Sequence, residues 1–151
     1  MLLVLMLGAV WTDVRTQKIR NVLTFPTMLV GVAMAPLFAA HWSLGVVGLL
    51  ATFAVALPGF MFGGAIRAGD VKMLAAAGSL LGPEAGIRAA LFTYLLILPV
   101  GMVILVLRGR VGNLKKLAAG EKFEPTLVAH APVIAVSILL ARLQPWPDLW
   151  K

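Results

Sequence analysis

Two aspartates, Asp13 and Asp70, carry the clearest signal for chemistry in this chain. The sequence has only six acidic residues, and 61% of its residues are hydrophobic. Each of the two aspartates stands at the end of an apolar stretch and is followed by Val and then a basic residue, Arg15 or Lys72. One charge at the end of a membrane segment is ordinary, whereas two carboxylates on one membrane face, each with a polar and basic flank, are typical of a functional site. The pattern predicts two carboxylates that act as a pair.

A pair of carboxylates can hydrolyse a peptide bond. One must be ionised to take a proton from water, and the other must be protonated to hydrogen-bond the scissile carbonyl. Like charges held close together do not both ionise easily, so the pair would titrate as a unit. Asp70 stands at the start of a predicted helix and Asp13 at the end of one. Because the helix dipole favours negative charge at an N-terminus, we expect Asp70 to be mainly the base and Asp13 mainly the proton carrier.

The composition predicts an integral membrane protein. Mean hydropathy is +0.99 and only 13% of residues are charged, whereas a soluble domain has about a quarter. We therefore expect an all-α, polytopic bundle that forms one domain over residues 1–151, without a soluble domain. The net charge of +7 would suggest nucleic acid in a soluble protein. Here most basic residues lie between apolar segments and indicate topology instead.

Six apolar segments predict about six transmembrane helices. A straight span needs roughly 20 apolar residues, and the first and fourth segments are shorter. Those two also carry Asp13 and Asp70, so a short helix could hold a polar group at a sheltered depth. The first segment lacks a basic leader and a clear cleavage site, so we expect it to be retained. The approximate bounds of the six segments are Leu2–Thr12, Val22–Ala40, Ser43–Phe62, Val71–Leu81, Gly86–Leu107 and Thr126–Leu143.

The basic residues orient these segments. Arg88, Arg142 and Lys151 fall on one side, and the other ten of the thirteen Lys and Arg fall on the side of the two aspartates. The positive-inside rule makes the second side cytoplasmic and puts both termini outside. The ten are Arg15, Lys18, Arg20, Arg67, Lys72, Arg108, Arg110, Lys115, Lys116 and Lys122.

The sequences around the aspartates resemble a known family. Residues Asp13–Asn21 read DVRTQKIRN, and residues Gly63–Lys72 read GGAIRAGDVK. They are similar to the two aspartate motifs of the type IV prepilin peptidases, a family of membrane aspartic proteases. The first motif there is Asp, a short basic stretch and Ile-Pro-Asn, and the second is a glycine-rich turn ending in Gly-Asp, a hydrophobic residue and Lys. Arg20 stands where the family usually has Pro, and Arg67 where Gly is common. The stretch Ala129-His130-Ala131-Pro132 resembles a Pro-containing stretch near the family's C-terminus.

The resemblance implies a prepilin leader peptidase with Asp13 and Asp70 as its catalytic residues. Its partner would be a type IV prepilin, and the short chain resembles the branch that serves Flp/Tad-type pili. The enzyme would cut the basic leader after a Gly, at the cytoplasmic face of a bacterial or archaeal inner membrane. The hydrophobic helix of the substrate would stay in the bilayer. The chain lacks the cysteine-rich zinc motif that accompanies methyltransferase activity in longer relatives. Cognate pilin and oligomeric state stay open.

Five further residues are candidates for supporting or substrate-side roles: Gly69, Lys72, Arg15, Lys18 and Asn21. Each also has a structural interpretation. Gly69 would serve backbone geometry and Asn21 would start the second helix. Lys72 would either extend to the membrane interface or support the nearby carboxylate electrostatically. Arg15 and Lys18, together with Arg20, would either set topology or dock substrate.

Several alternatives to this interpretation stay open. Asp70 could simply cap the fourth helix, and Asp13 could be a solvated interfacial residue. Paired intramembrane acids could also serve an ion-coupled carrier, or the chain could be a non-catalytic pilus or secretion assembly factor. No metal or cofactor is expected, because the sequence has no cysteine and its two histidines, His41 and His130, lack the spacing of a zinc site.

Overall fold

The chain folds into helices in a computed structural model that describes residues 1–16, 18–38, 42–61, 66–107 and 130–143. Six helices and no strand occur within these ranges, which confirms the all-helical prediction. The helices are α1 (Leu2–Thr16), α2 (Asn21–Phe38), α3 (Ser43–Met61), α4 (Ala68–Leu81), α5 (Pro83–Leu107) and α6 (Ala131–Leu143).

The helices follow the predicted segments, with differences at the ends that contain polar residues. Helix α1 continues to Thr16, so Asp13 lies inside its last turn rather than after it. Helix α4 begins at Ala68, three residues before the predicted start, and α2 begins at Asn21 as predicted. Hydrophobicity marks where a chain meets lipid, whereas backbone hydrogen bonds continue a helix into polar sequence. The predicted segment ends at residues 39–40, 62 and 126–129 lie outside the described residues.

Helix α4 is the centre of the bundle. It packs against each of the other five described helices, and its buried face includes Val71 and Met73 together with the unbroken run 74–79. Alanine and glycine fill much of that run, so the neighbouring helices can approach closely. With 14 residues, α4 is about 21 Å long, which is shorter than the roughly 30 Å hydrocarbon core of a bilayer.

Helices α3, α4 and α5 meet at glycines. A Cβ added at Gly48 of α3 would overlap the carbonyl oxygen of Gly78 in α4, and one added at Gly78 or at Gly86 of α5 would overlap Thr52 Oγ1. The contact therefore depends on missing side chains. Such small-residue contacts are typical of helices packed within membranes.

A tyrosine hydroxyl forms hydrogen bonds with backbone groups of α3 next to a proline. The Tyr94 hydroxyl of α5 accepts the Gly59 N–H at 2.9 Å and lies 2.9 Å from the Val55 carbonyl and 3.0 Å from that of Ala56. Pro58 lies inside α3, and a proline disturbs the carbonyls of the preceding turn. The hydroxyl thus satisfies backbone groups at the break and ties α3 to α5.

The described helices carry polar side chains inside and apolar side chains outside. Thr24, Thr52, Thr93 and Ser137 are buried, while large apolar side chains such as Leu98, 70% exposed, cover the exterior. A soluble protein rarely exposes so much contiguous apolar surface. Two described stretches, Ser43–Met61 and Pro83–Ile104, are long and apolar enough to cross a membrane.

Candidate active site

Asp13 is buried in the last turn of α1. The residue is 2% exposed, and its Oδ2 accepts a hydrogen bond from the Ala131 N–H at 2.8 Å. Ala131 is the first residue of α6, where backbone N–H groups have no partner within the helix. The carboxylate of α1 therefore binds the open N-terminal end of α6.

Asp70 is buried in the first turn of α4. The residue is also 2% exposed, and its Oδ2 accepts the Arg67 N–H at 2.9 Å. Arg67 is the N-cap of α4, and Asp70 occupies the third helical position, so its side chain reaches back to the cap as in a capping box. Asp70 thus helps to close the helix end, although it is not itself the N-cap residue.

His130 contacts Asp70, which sequence analysis missed. The imidazole Nδ1 lies 3.0 Å from Asp70 Oδ2, and the His130 side chain is 16% exposed. The sequence showed His130 only as an isolated histidine 60 positions away from Asp70. The resemblance of the stretch around Pro132 to the family's C-terminal motif was the one signal that pointed to this segment.

Two consecutive residues thus bind the two aspartates. The side chain of His130 lies on Asp70, and the main chain of Ala131 donates to Asp13. Helix α6 begins at this point, with the Ile134 N–H bonded to the His130 carbonyl at 3.0 Å. The C-terminal end of α1 and the N-terminal ends of α4 and α6 therefore meet around both carboxylates.

Gly69 packs against the connection between α1 and α2, and Lys72 contacts the start of α2. Gly69 was expected in a turn but is the second residue of α4, and a Cβ there would lie 3.3 Å from Ile19 Cβ. Gly82 is the described glycine with a positive φ, at 82°. Lys72 Nζ donates to Asn21 Oδ1 at 3.1 Å and lies 5.4 Å from the centre of the Phe25 ring. Lys72 and Asn21 therefore tie the starts of α4 and α2 together.

Arg15 and Lys18 lie on the outside of the same end. The Arg15 guanidinium stacks over the Trp11 ring, 3.9 Å from its centre, and both cations line an open groove with Arg20. Arg15 and Trp11 are exposed whereas Asp13 is buried. The groove is therefore on the face of α1 that turns away from the two aspartates.

These features define a class: an all-helical protein with two buried carboxylates at one end of its bundle. A model of the type IV leader peptidase family matches residues 1–105. The chain therefore belongs to the type IV leader peptidase family, whose members are membrane-embedded proteases that act on prepilins. The matched residues contain both aspartates but end before His130 and α6. The chain matched no curated protein and no solved structure.

Proposed function

We propose that this protein is a prepilin leader peptidase of the Flp/Tad type that uses Asp13 and Asp70 as an aspartic dyad. The observation that carries the proposal is the convergence of two buried carboxylates on one dipeptide, His130-Ala131. A carboxylate that serves only as a helix cap does not require a second buried carboxylate on a neighbouring helix. Family membership supplies the peptidase activity, and the paired carboxylates supply a means of activating water.

The proposal takes residues 1–151 as one multi-pass domain of the inner membrane, with the aspartates at the cytoplasmic face. In the described part of the chain, Arg15, Lys18, Arg20, Arg67 and Lys72 belong to the end that holds the aspartates. Arg88 and Arg142 belong to helix turns at the other end. The positive-inside rule then orients the dyad toward the cytoplasm. Basic leaders of prepilins would be presented on this side.

The hydrogen bonds suggest an atomic assignment for the reaction. Because Asp70 Oδ2 already has two partners and Asp13 Oδ2 accepts the Ala131 N–H, we assign the chemistry to the Oδ1 atoms. Ionised Asp70 Oδ1 takes a proton from water as the water oxygen bonds to the scissile carbonyl carbon. Asp13 Oδ1, carrying a proton, hydrogen-bonds the carbonyl oxygen as negative charge develops there. The C–N bond then breaks as the proton on Asp70 passes to the leaving nitrogen.

The substrate would enter from the bilayer. Its hydrophobic helix can stay in lipid against the apolar exterior of the bundle, and only the segment beside the leader must reach the dyad. The groove of Arg15, Lys18 and Arg20 would repel a basic leader, since like charges disfavour association. We therefore assign these cations to topology rather than to leader binding.

Cleavage of a prepilin by the purified protein tests this function. Incubation with an Flp-type prepilin in detergent or liposomes should release the leader, which mass spectrometry can identify by the new N-terminus of the pilin. Asp13→Asn and Asp70→Asn should each reduce kcat by about 1,000-fold or more, because residues that act as a unit are each indispensable. Both variants should keep the helical circular-dichroism spectrum of the native protein.

Glu84→Gln is the matched control. Glu84 is exposed in the first turn of α5, away from the aspartates, and its substitution should leave kcat unchanged. Activity retained by both aspartate variants would refute the dyad. An intact prepilin with the native protein, under conditions in which a related peptidase cleaves it, would refute the peptidase assignment and favour a carrier or an assembly factor.

A further inference from the structure

We infer that His130 is a positioning residue for the reaction: its Nδ1–H donates to Asp70 Oδ2 and fixes the carboxylate that activates water. The inference rests on the proposed function and deepens it. His130 lies outside the residues that match the family. The inference therefore rests on the geometry of this chain.

The chemistry of the contact requires a proton on Nδ1. An ionised carboxylate only accepts hydrogen bonds, so a 3.0 Å contact between Asp70 Oδ2 and His130 Nδ1 is a hydrogen bond when Nδ1 is the donor. Which ring nitrogen carries the proton is set by the partner that the ring binds. Asp70 would therefore hold His130 in the Nδ1–H tautomer.

Two donors on one oxygen fix the orientation of the carboxylate. The Arg67 N–H approaches Asp70 Oδ2 from α4 at 2.9 Å, and His130 approaches from the start of α6 at 3.0 Å. Donors from two separate helices restrict rotation of the carboxyl group, so Oδ1 keeps a constant direction. Proton transfer from water requires a base in a fixed position, since misplacement of a reacting group by about 1 Å can reduce the rate about 100-fold.

The main chain next to His130 contacts the second carboxylate, Asp13. His130 is anchored at the start of α6 by its carbonyl, which accepts the Ile134 N–H at 3.0 Å, and the next residue donates its N–H to Asp13 Oδ2 at 2.8 Å. One helix end thus contacts both carboxylates. Because the contact to Asp13 comes from the main chain of Ala131, it should persist when the His130 side chain is substituted, so that only the contact to Asp70 is lost.

Kinetics of two substitutions test the role of the hydrogen bond. His130→Ala removes the donor and should lower kcat about 10- to 100-fold, with KM changed less than threefold. His130→Asn places an amide N–H close to the position of Nδ1 and should restore kcat to within about fivefold of native. The inference is overturned if His130→Ala keeps native kcat, or if His130→Asn is as impaired as His130→Ala while both variants remain monodisperse and helical.

A second measurement does not depend on activity. The chain has two histidines, so selective ¹⁵N labelling of histidine gives two imidazole spin systems, and His41→Gln identifies the one from His130. The ¹⁵N shifts should show a protonated Nδ1 in the native protein. In Asp70→Ala the neutral ring should change to the Nε2–H tautomer, which free histidine prefers. An unprotonated Nδ1 in the native protein, or the same tautomer with and without Asp70, would overturn the inference.

The two measurements separate failure of the inference from failure of the proposed function. If the native protein cleaves prepilin while His130→Ala is fully active, the function stands and the inference fails. If no cleavage occurs but the tautomer depends on Asp70, the contact stands without the proposed reaction, and the role of His130 in catalysis is refuted together with the function.

Discussion

At the scale of single residues, the two aspartates differ in the donors that they accept. Asp13 binds a peptide N–H at the start of α6, whereas Asp70 binds a peptide N–H at its own helix cap and an imidazole nitrogen. The sequence showed the ends of α1 and α4 beside these carboxylates, but not the end of α6. The N-terminal end of α6 lies beside both carboxylates, so the two differ in the imidazole that binds Asp70 and not Asp13.

Lys72 gives a prediction at this scale. Its Nζ binds Asn21 and lies over Phe25 at the surface, rather than pairing with Asp70. Lys72→Met removes the charged Nζ, and with it one exposed hydrogen bond worth about 0.5–1.5 kcal/mol at most and a cation–π contact worth about 0.5–1 kcal/mol. We expect kcat for prepilin cleavage within threefold of native and a small decrease in thermal stability in detergent.

Asn21→Ala is the matched control for Lys72→Met, because it removes the other partner of the same hydrogen bond. Asn21→Ala should cost less stability than Lys72→Met, because it leaves the contact of Lys72 with Phe25 in place, and the double variant should lose about as much as Lys72→Met. A loss of kcat above tenfold in Lys72→Met alone would contradict this prediction and would favour an electrostatic role beside Asp70.

At the scale of helices, the short central helix determines where the aspartates lie. Helix α4 spans about 21 Å for its 14 residues, so in a bilayer of roughly 30 Å one or both of its ends lie below the interface. Asp70 lies in the first turn of α4, so it is recessed from the aqueous phase if the N-terminal end of the helix is one of these ends.

The close contact between α3 and α4 should not tolerate a larger side chain. Gly78→Ala would push a methyl group into Thr52 Oγ1 and toward Gly48, so the two helices must separate. Overpacking of this kind costs about 1–3 kcal/mol. We expect a lower thermal midpoint in detergent and reduced cleavage, because α4 carries Asp70.

Gly101→Ala is the matched control for that substitution. Gly101 is also inside a helix, α5, but a Cβ there meets nothing within 4 Å. Alanine should therefore be neutral or stabilise the helix by about 0.5–1 kcal/mol. Equal destabilisation by Gly78→Ala and Gly101→Ala would contradict this prediction, because the loss could then not be assigned to the α3–α4 contact.

At the scale of the whole molecule, the apolar exterior of the bundle predicts a membrane environment, and the basic residues predict which end faces the cytoplasm. Single cysteines can test the orientation without background labelling, because the chain has no cysteine. Lys18→Cys marks the end of the aspartates, and Glu84→Cys marks the opposite end; both native residues are exposed. In intact spheroplasts a membrane-impermeant maleimide should label Glu84→Cys, and it should label Lys18→Cys only after the membrane is permeabilised. The reverse pattern would invert the proposed topology.

Much of the fold was predictable because long apolar runs in this sequence favour helices. Helices α2, α3 and α5 agree with predicted segments to within a few residues, since long apolar runs have few alternatives in a bilayer. The predictions were less accurate at α1 and α4. There the helices extend through polar residues around Asp13 and Asp70, and backbone hydrogen bonding rather than hydropathy decides where they end.

The sequence alone determined the all-helical class and the family and predicted the pair of aspartates, because composition, apolar segment lengths and local motifs are properties of neighbouring residues. Only the tertiary structure decided that His130, 60 positions from Asp70, contacts that carboxylate, and that Ala131, 118 positions from Asp13, starts the helix whose N–H binds the other. The physical reason is that a helix end needs partners for its backbone groups, and packing of α6 against α1 and α4 chooses them. No local pattern encodes which distant carboxylate such an end will meet.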